Sequence, residues 1–166
     1  GDVLKVSISG IIDEDVDFST YKLSDSKKIE IDFKAVRSIN SCGIREWIKW
    51  LAPTKTSQVS FINCPKIIID QINMVDGFLP SNAKVLSFFV PYYNDENGTE
   101  KNVIFHYGQE FSEGSVTPPA KVVDESGADM EMDVIESKYF KFNLKLPSFL
   151  ISTLVFLISS TYFAFP

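Results

Sequence analysis

A chain of 166 residues, 45% hydrophobic, can bury a sizeable core and fits one domain with an appendage. Its formal net charge of −6 is unevenly placed: residues 1–93 carry eleven acids and eleven bases, residues 94–146 eleven acids and five bases. No basic stripe of the kind that follows a phosphate backbone is present, which sets nucleic acid aside as a partner, and two cysteines are too few for a disulfide framework.

In chain order, Val3 to Ser9 alternates apolar and polar residues, and Gly10 leading into Ile11-Ile12-Asp13 predicts a hairpin. Asp15 to Leu23, with Phe18 and Tyr21 three apart, is expected as a short helix. The acidic run Asp13-Glu14-Asp15 with Asp17 lacks the glycine and closing Glu of a calcium loop and is expected as a solvated turn. Lys28 to Phe33 alternates cleanly and predicts a half-exposed strand. Asn40-Ser41-Cys42-Gly43 then opens a helix in which Ile44, Trp47, Ile48 and Leu51 form one apolar face, ending near Ala52-Pro53. Val59 to Asn63 is a short strand. Pro65 is expected as the first residue of a second helix capped by Asn63 or Cys64, with Ile68, Ile72, Val75 and Leu79 on one face and Pro80 as its stop. Lys84 to Pro91 is expected as one apolar strand.

This order predicts an α/β fold over residues 1–93, a mixed β-sheet with helices packed on one face. Residues 94–146 are expected as a small, acidic, β-rich appendage. Within it Val103 to Phe111 and Lys121 to Val123 are expected as strands, and Tyr139 to Leu144 closes on an aromatic alternation. From Leu146 to Pro166 no residue is charged, and Lys138, Lys141 and Lys145 lie just upstream. Three readings of residues 147–166 stand: a span anchoring the chain at the inner face of a membrane, a terminal helix or strand buried in the fold, and an irregular tail without function. With no secretory leader ahead of the fold, the cytoplasm is the expected setting.

Ser41 falls where the unpaired N–H groups of a helix start gather, a position that favours an anion. A phosphate there would add nearly two negative charges at a helix mouth. The strand, the Asn40-Ser41-Cys42-Gly43-Ile44 loop, the helix and the next strand together resemble STAS domains, which include bacterial anti-sigma-factor antagonists and the cytoplasmic domains of sulfate transporters. The likeness covers roughly residues 3–91, including Ile8-Ser9-Gly10-Ile11-Ile12-Asp13 and Asn63-Cys64-Pro65. The family's usual loop is Asp-Ser-Ser/Thr-Gly, so Asn40 stands for its aspartate and Cys42 for its second hydroxyl.

The resemblance implies a non-enzymatic, partner-switching protein with Ser41 as phospho-acceptor. Its partner would be a protein, of the kind of an anti-sigma-factor-like serine kinase. Asn40, Cys42, Gly43, Arg45, Glu46, Lys49 and Trp50 would form the partner surface, with Trp50, off the core stripe, either an exposed anchor or covered by the appendage. The alternative is a membrane-tethered scaffold held by the apolar tail. The second segment is similar to a degenerate zinc ribbon: Asn94 and Asn97 in one knuckle, and Val123 and Ser126 in the other, stand where thiolates would bind zinc. His106, the only histidine, has no partner spacing for a triad or metal site. No catalytic residue, cofactor or metal ligand is therefore assigned.

Overall fold

The computed structural model describes residues 2–23 and 26–144. The expected tail at 147–166 lies outside them. Among the described residues, no helix is long and apolar enough to cross a membrane.

The fold is α/β. Strands β1 (Leu4–Ile12), β2 (Lys28–Ile39), β3 (Gln58–Ile62) and β4 (Ala83–Val85) form a four-stranded sheet in sequence order, parallel throughout. Helices α1 (Ser41–Leu51) and α2 (Lys66–Met74) make the crossovers from β2 to β3 and from β3 to β4. Both steps run the same way across the sheet, so right-handed connections place both helices on one face. That face carries Ile29, Ile31 and Phe33 of β2, Val59 and Phe61 of β3, and Val85 of β4, all buried. The registered row Lys5–Glu30–Ser60–Lys84 lies on the opposite, polar face. Trp47 of α1 fills the centre. Its ring lies 5.3 Å from Phe33, 5.7 Å from Phe61 and 5.6 Å from Phe78, and its indole N–H donates to the Phe78 carbonyl at 3.0 Å.

A second sheet is antiparallel. β5 (Ser87–Tyr93) lies between β6 (Glu100–His106) and the short β9 (Glu131–Met132), and β7 (Phe111–Ser112) pairs with β8 (Ser115–Val116). Phe88 centres this half, touching Phe105, Phe111, Tyr139, Phe140 and Phe142. The two sheets join where the Leu86 N–H donates to Phe61 and the Phe89 N–H to Cys64.

Several local expectations are corrected. Gly10 does not reverse the chain: its φ of +84° sits beside register shifts in the β1–β2 ladder, so β1 bends through irregularities and runs on to Ile12 instead of forming a hairpin. Asp15 to Leu23 is not helical, because aspartate side chains capture local donors. The Asp13 carboxylate accepts from the Asp15 N–H, and the Asp17 carboxylate from the Ser19 N–H and hydroxyl. Pro65 is the N-cap of α2, not its first residue, and Asn63 caps nothing: at φ 52° it directs its amide to the Asp32 carboxylate. α2 stops at Met74, well before Pro80.

The run from Lys84 to Pro91 is divided at Leu86 between the two sheets. β6 ends at His106, and a turn through Gly108 precedes Phe111. Val123 makes only an isolated bridge to Asp129. Tyr139 to Leu144 is a pair of short helical turns, α3 (Glu136–Tyr139) and a 3-10 turn (Lys141–Asn143). Turning the chain this way lets Tyr139, Phe140 and Phe142 all reach Phe88, which an extended strand would not.

Candidate functional site

The β2–α1 junction builds the site. Asn40 is the N-cap of α1: its side-chain oxygen accepts from the Gly43 N–H at 2.9 Å, and its own N–H donates to the Ile12 carbonyl at 3.1 Å. The helix is thus capped by the residue before Ser41, and Ser41, first in α1 and exposed, is left free of that task. Gly43 is required by packing. A Cβ there would lie 2.2 Å from the Ile12 carbonyl oxygen, so only glycine lets the helix start press against the end of β1.

The expected partner surface divides. Asn40, Arg45 and Lys49 are exposed, and Cys42 and Glu46 half-buried. Arg45 and Lys49 both reach the Glu46 carboxylate, at 3.5 and 2.9 Å, and these bonds, Lys49 foremost, hold its pKa below the usual range. Two members do not belong to an accessible surface. Gly43 is buried against β1. Trp50, expected either as an exposed anchor or under the appendage, is 9% exposed. It stacks on Phe18 with ring centroids 4.6 Å apart and donates its indole N–H to the Tyr21 carbonyl at 2.7 Å. The cover comes from the segment after β1, which fills the side of α1 that the apolar stripe leaves open.

That same segment supplies a residue with no local sequence signal. The Asn40 amide donates to the Glu14 carboxylate at 2.7 Å, a bond that lowers the pKa of Glu14 from its ordinary value. A carboxylate is therefore present beside Asn40, brought from 26 residues away. Only the register of β1 with β2, Ile12 opposite Ile39, places Glu14 there.

In residues 94–146, three of the four residues expected at knuckle positions, Asn94, Asn97 and Ser126, gather around one carboxylate. Asn94 and Asn97 donate their amides to one oxygen of Asp124 at 3.1 and 2.6 Å; the other oxygen accepts from the Ser126 hydroxyl at 2.6 Å and from the Ser126 and Ala128 N–H groups at 2.8 and 3.0 Å. These donors, the Ser126 hydroxyl and the Asn97 amide first, hold the Asp124 pKa far below the usual carboxylate range. Val123 offers no donor side chain to this hub. Amides and a hydroxyl that face a carboxylate are poor partners for zinc, which takes thiolate, imidazole or carboxylate. Among the described residues, no group of three or more His, Cys, Asp or Glu is placed to hold a metal.

The backbone N–H of His106, not its ring, donates to the Glu110 carboxylate at 2.8 Å as part of a turn. Cys64 is fully buried in the core, which pushes its thiol pKa well up and leaves it unreactive. An open cleft of about 740 Å³ between α2 and α3, lined by Met74, Asn73, Met132, Val134 and Ile135, includes no residue of the β2–α1 junction. Compared with known proteins, the chain matches no family model, no curated sequence and no solved structure. What the junction can do is a matter of its geometry: it offers an exposed serine at a helix mouth, with the Glu14 carboxylate on the adjacent Asn40 and Arg45, Glu46 and Lys49 further along the same helix.

Proposed function

We propose that this chain is a non-enzymatic, STAS-type protein-interaction module, a partner-switching regulator with Ser41 as its phospho-acceptor. Its partner is an anti-sigma-factor-like serine kinase that docks on Asn40, Cys42, Arg45, Glu46 and Lys49. The observation that carries this reading is the division of labour at the helix start: Asn40 makes the cap, so the exposed Ser41 hydroxyl is available to an enzyme. A phosphoryl group at that position gains from the helix dipole and does not melt α1. Its effect falls on the docking surface, where nearly two added charges change which partner is tolerated.

Pull-down of the kinase tests this. Ser41→Ala should retain binding, and Ser41→Asp should weaken it by about tenfold or more. Equal binding by both variants defeats the proposal.

The second reading sets the same module at the inner face of the cytoplasmic membrane, tethered through residues 147–166. It is supported by the uncharged run from Leu146 to the end of the chain and the lysines upstream of it. Fractionation separates the two: an unchanged soluble share after deleting residues 147–166 removes the tether.

A further inference from the structure

We infer that Glu14 is a latch. Charge added at Ser41 acts through the Asn40–Glu14 bond and releases segment 13–23 from the flank of α1. This rests on the switch role proposed for Ser41 and adds a route by which the signal would leave it.

Segment 13–23 has no regular structure of its own; Leu23 roots its far end in the core and Val16 packs against that core, while the rest is held to α1 by a few contacts. At one end, Glu14 holds the Asn40 amide at 2.7 Å. In the middle, Phe18 lies on Trp50 with ring centroids 4.6 Å apart and meets Trp47 edge-on at 6.0 Å. Further on, the Tyr21 carbonyl takes the Trp50 indole N–H at 2.7 Å, although the Tyr21 ring itself is exposed. Asn40 is therefore shared. Its oxygen caps α1 through Gly43 while its amide grips Glu14, and it is the residue next to Ser41.

The charges around the latch are unbalanced. Asp13, Asp15 and Asp17 accompany Glu14 on the same segment against one base, Lys22, near its far end, and none of the four acids makes an ion pair among the described residues. Of the cations nearest along α1, Arg45 and Lys49 are both engaged by Glu46. A negative group on Ser41 would thus stand next to Asn40, where the acidic end of the segment is tied to the start of α1 by one exposed hydrogen bond. Repulsion can break a bond of that kind without disturbing the helix, whose cap is internal to Asn40 and Gly43. When the segment lifts, Phe18 leaves Trp50, and a flat aromatic flank of α1 becomes accessible beside the partner surface.

Trp50 reports the event. The full chain carrying 5-fluorotryptophan gives two fluorine resonances, assigned with Trp50→Phe. Ser41→Asp should move the Trp50 resonance toward its position in the unfolded chain and leave the Trp47 resonance folded. The isosteric neutral change Ser41→Asn should move neither. Adding Glu14→Gln to Ser41→Asp should return Trp50 to its original position, because glutamine still accepts from Asn40 but is not repelled. Three results overturn the latch: an unmoved Trp50 in Ser41→Asp, an equal movement in Ser41→Asn, or no return with Glu14→Gln. Collapse of both resonances in Ser41→Asp also overturns it, since release of the segment leaves the Trp47 core in place. The outcomes separate from those of the pull-down. Lost kinase binding with an unmoved Trp50 removes the latch and keeps the switch; a displaced Trp50 with unchanged binding does the reverse.

Discussion

Glu14 and Asp124 both tie one loop to another through a carboxylate, and they do it with very different investment. Glu14 accepts one side-chain bond, from Asn40, and stands exposed. Asp124 accepts five, from Asn94, Asn97, Ser126 and Ala128, and is 8% exposed. A carboxylate satisfied on both oxygens inside a ring of donors cannot be withdrawn without leaving several of them unpaired, whereas a single bond at the surface is exchanged for water at little cost. The lesson is one of number and burial: the same functional group makes a permanent staple in the appendage and a releasable tie beside α1.

Breaking the staple should therefore have the largest effect. Asp124→Ala should lower the melting temperature by several degrees and strip amide-exchange protection from Ser126 and Ala128, while β2 and β3 keep theirs. Asp124→Asn should fall between, since its amide oxygen can still accept but its NH2 opposes the donors around it. The pH dependence has a defined sign. The folded pKa of Asp124 lies below its unfolded value, so its contribution is complete above about pH 4 and is lost as the pH falls below that. If the alanine variant melts like the parent at pH 7, the five bonds do not staple anything.

Next comes Asn40, which belongs to both the helix and the tie. Asn40→Ala removes an N-cap and should cost about 1 kcal/mol in denaturant unfolding. It also frees Glu14, so Trp50 should become more accessible to acrylamide in the folded protein. A loss of stability with no change at Trp50 would mean that segment 13–23 is held by its aromatic contacts alone, and the contrast between the two carboxylates would weaken.

How much of this was legible depended on whether the signal was local. The β2–α1–β3–α2 order could be read because alternation at Ile29, Ile31 and Phe33 and helical spacing at Trp47, Ile48 and Leu51 record burial on one side of each element. The position of Ser41 at a helix start followed from the same pattern. Gly10 misled because a glycine at positive φ serves a bulge as well as a turn, and only pairing with β2 decides between them. Trp50 misled for a related reason. Helical periodicity marks one apolar stripe, and a second buried strip appears only when a distant segment, here Phe18 and Tyr21, is folded onto it. Glu14 lay beyond sequence patterning because its partner is far along the chain. Asp124 lies between Val123 and Ser126, but ligand spacing marks only the positions where thiolates would stand and carries no signal for a carboxylate between them.

The smallest expected effect is the sharpest test of the comparison. Glu14→Gln keeps an acceptor for the Asn40 amide and removes only the charge, so at neutral pH its unfolding midpoint should lie close to that of the parent. The folded pKa of Glu14 is depressed by the Asn40 bond, and whatever increment the charge adds is present above about pH 4 and disappears as the pH falls through the folded value. The difference between Glu14→Gln and the parent should thus be small at pH 7 and vanish in acid. That of Asp124→Asn should be several times larger at pH 7 and persist to lower pH, because the donors around Asp124 hold its proton off further. Two midpoint-against-pH curves of the same size and shape would show that one bond and five are equivalent here, and the division between tie and staple would fall.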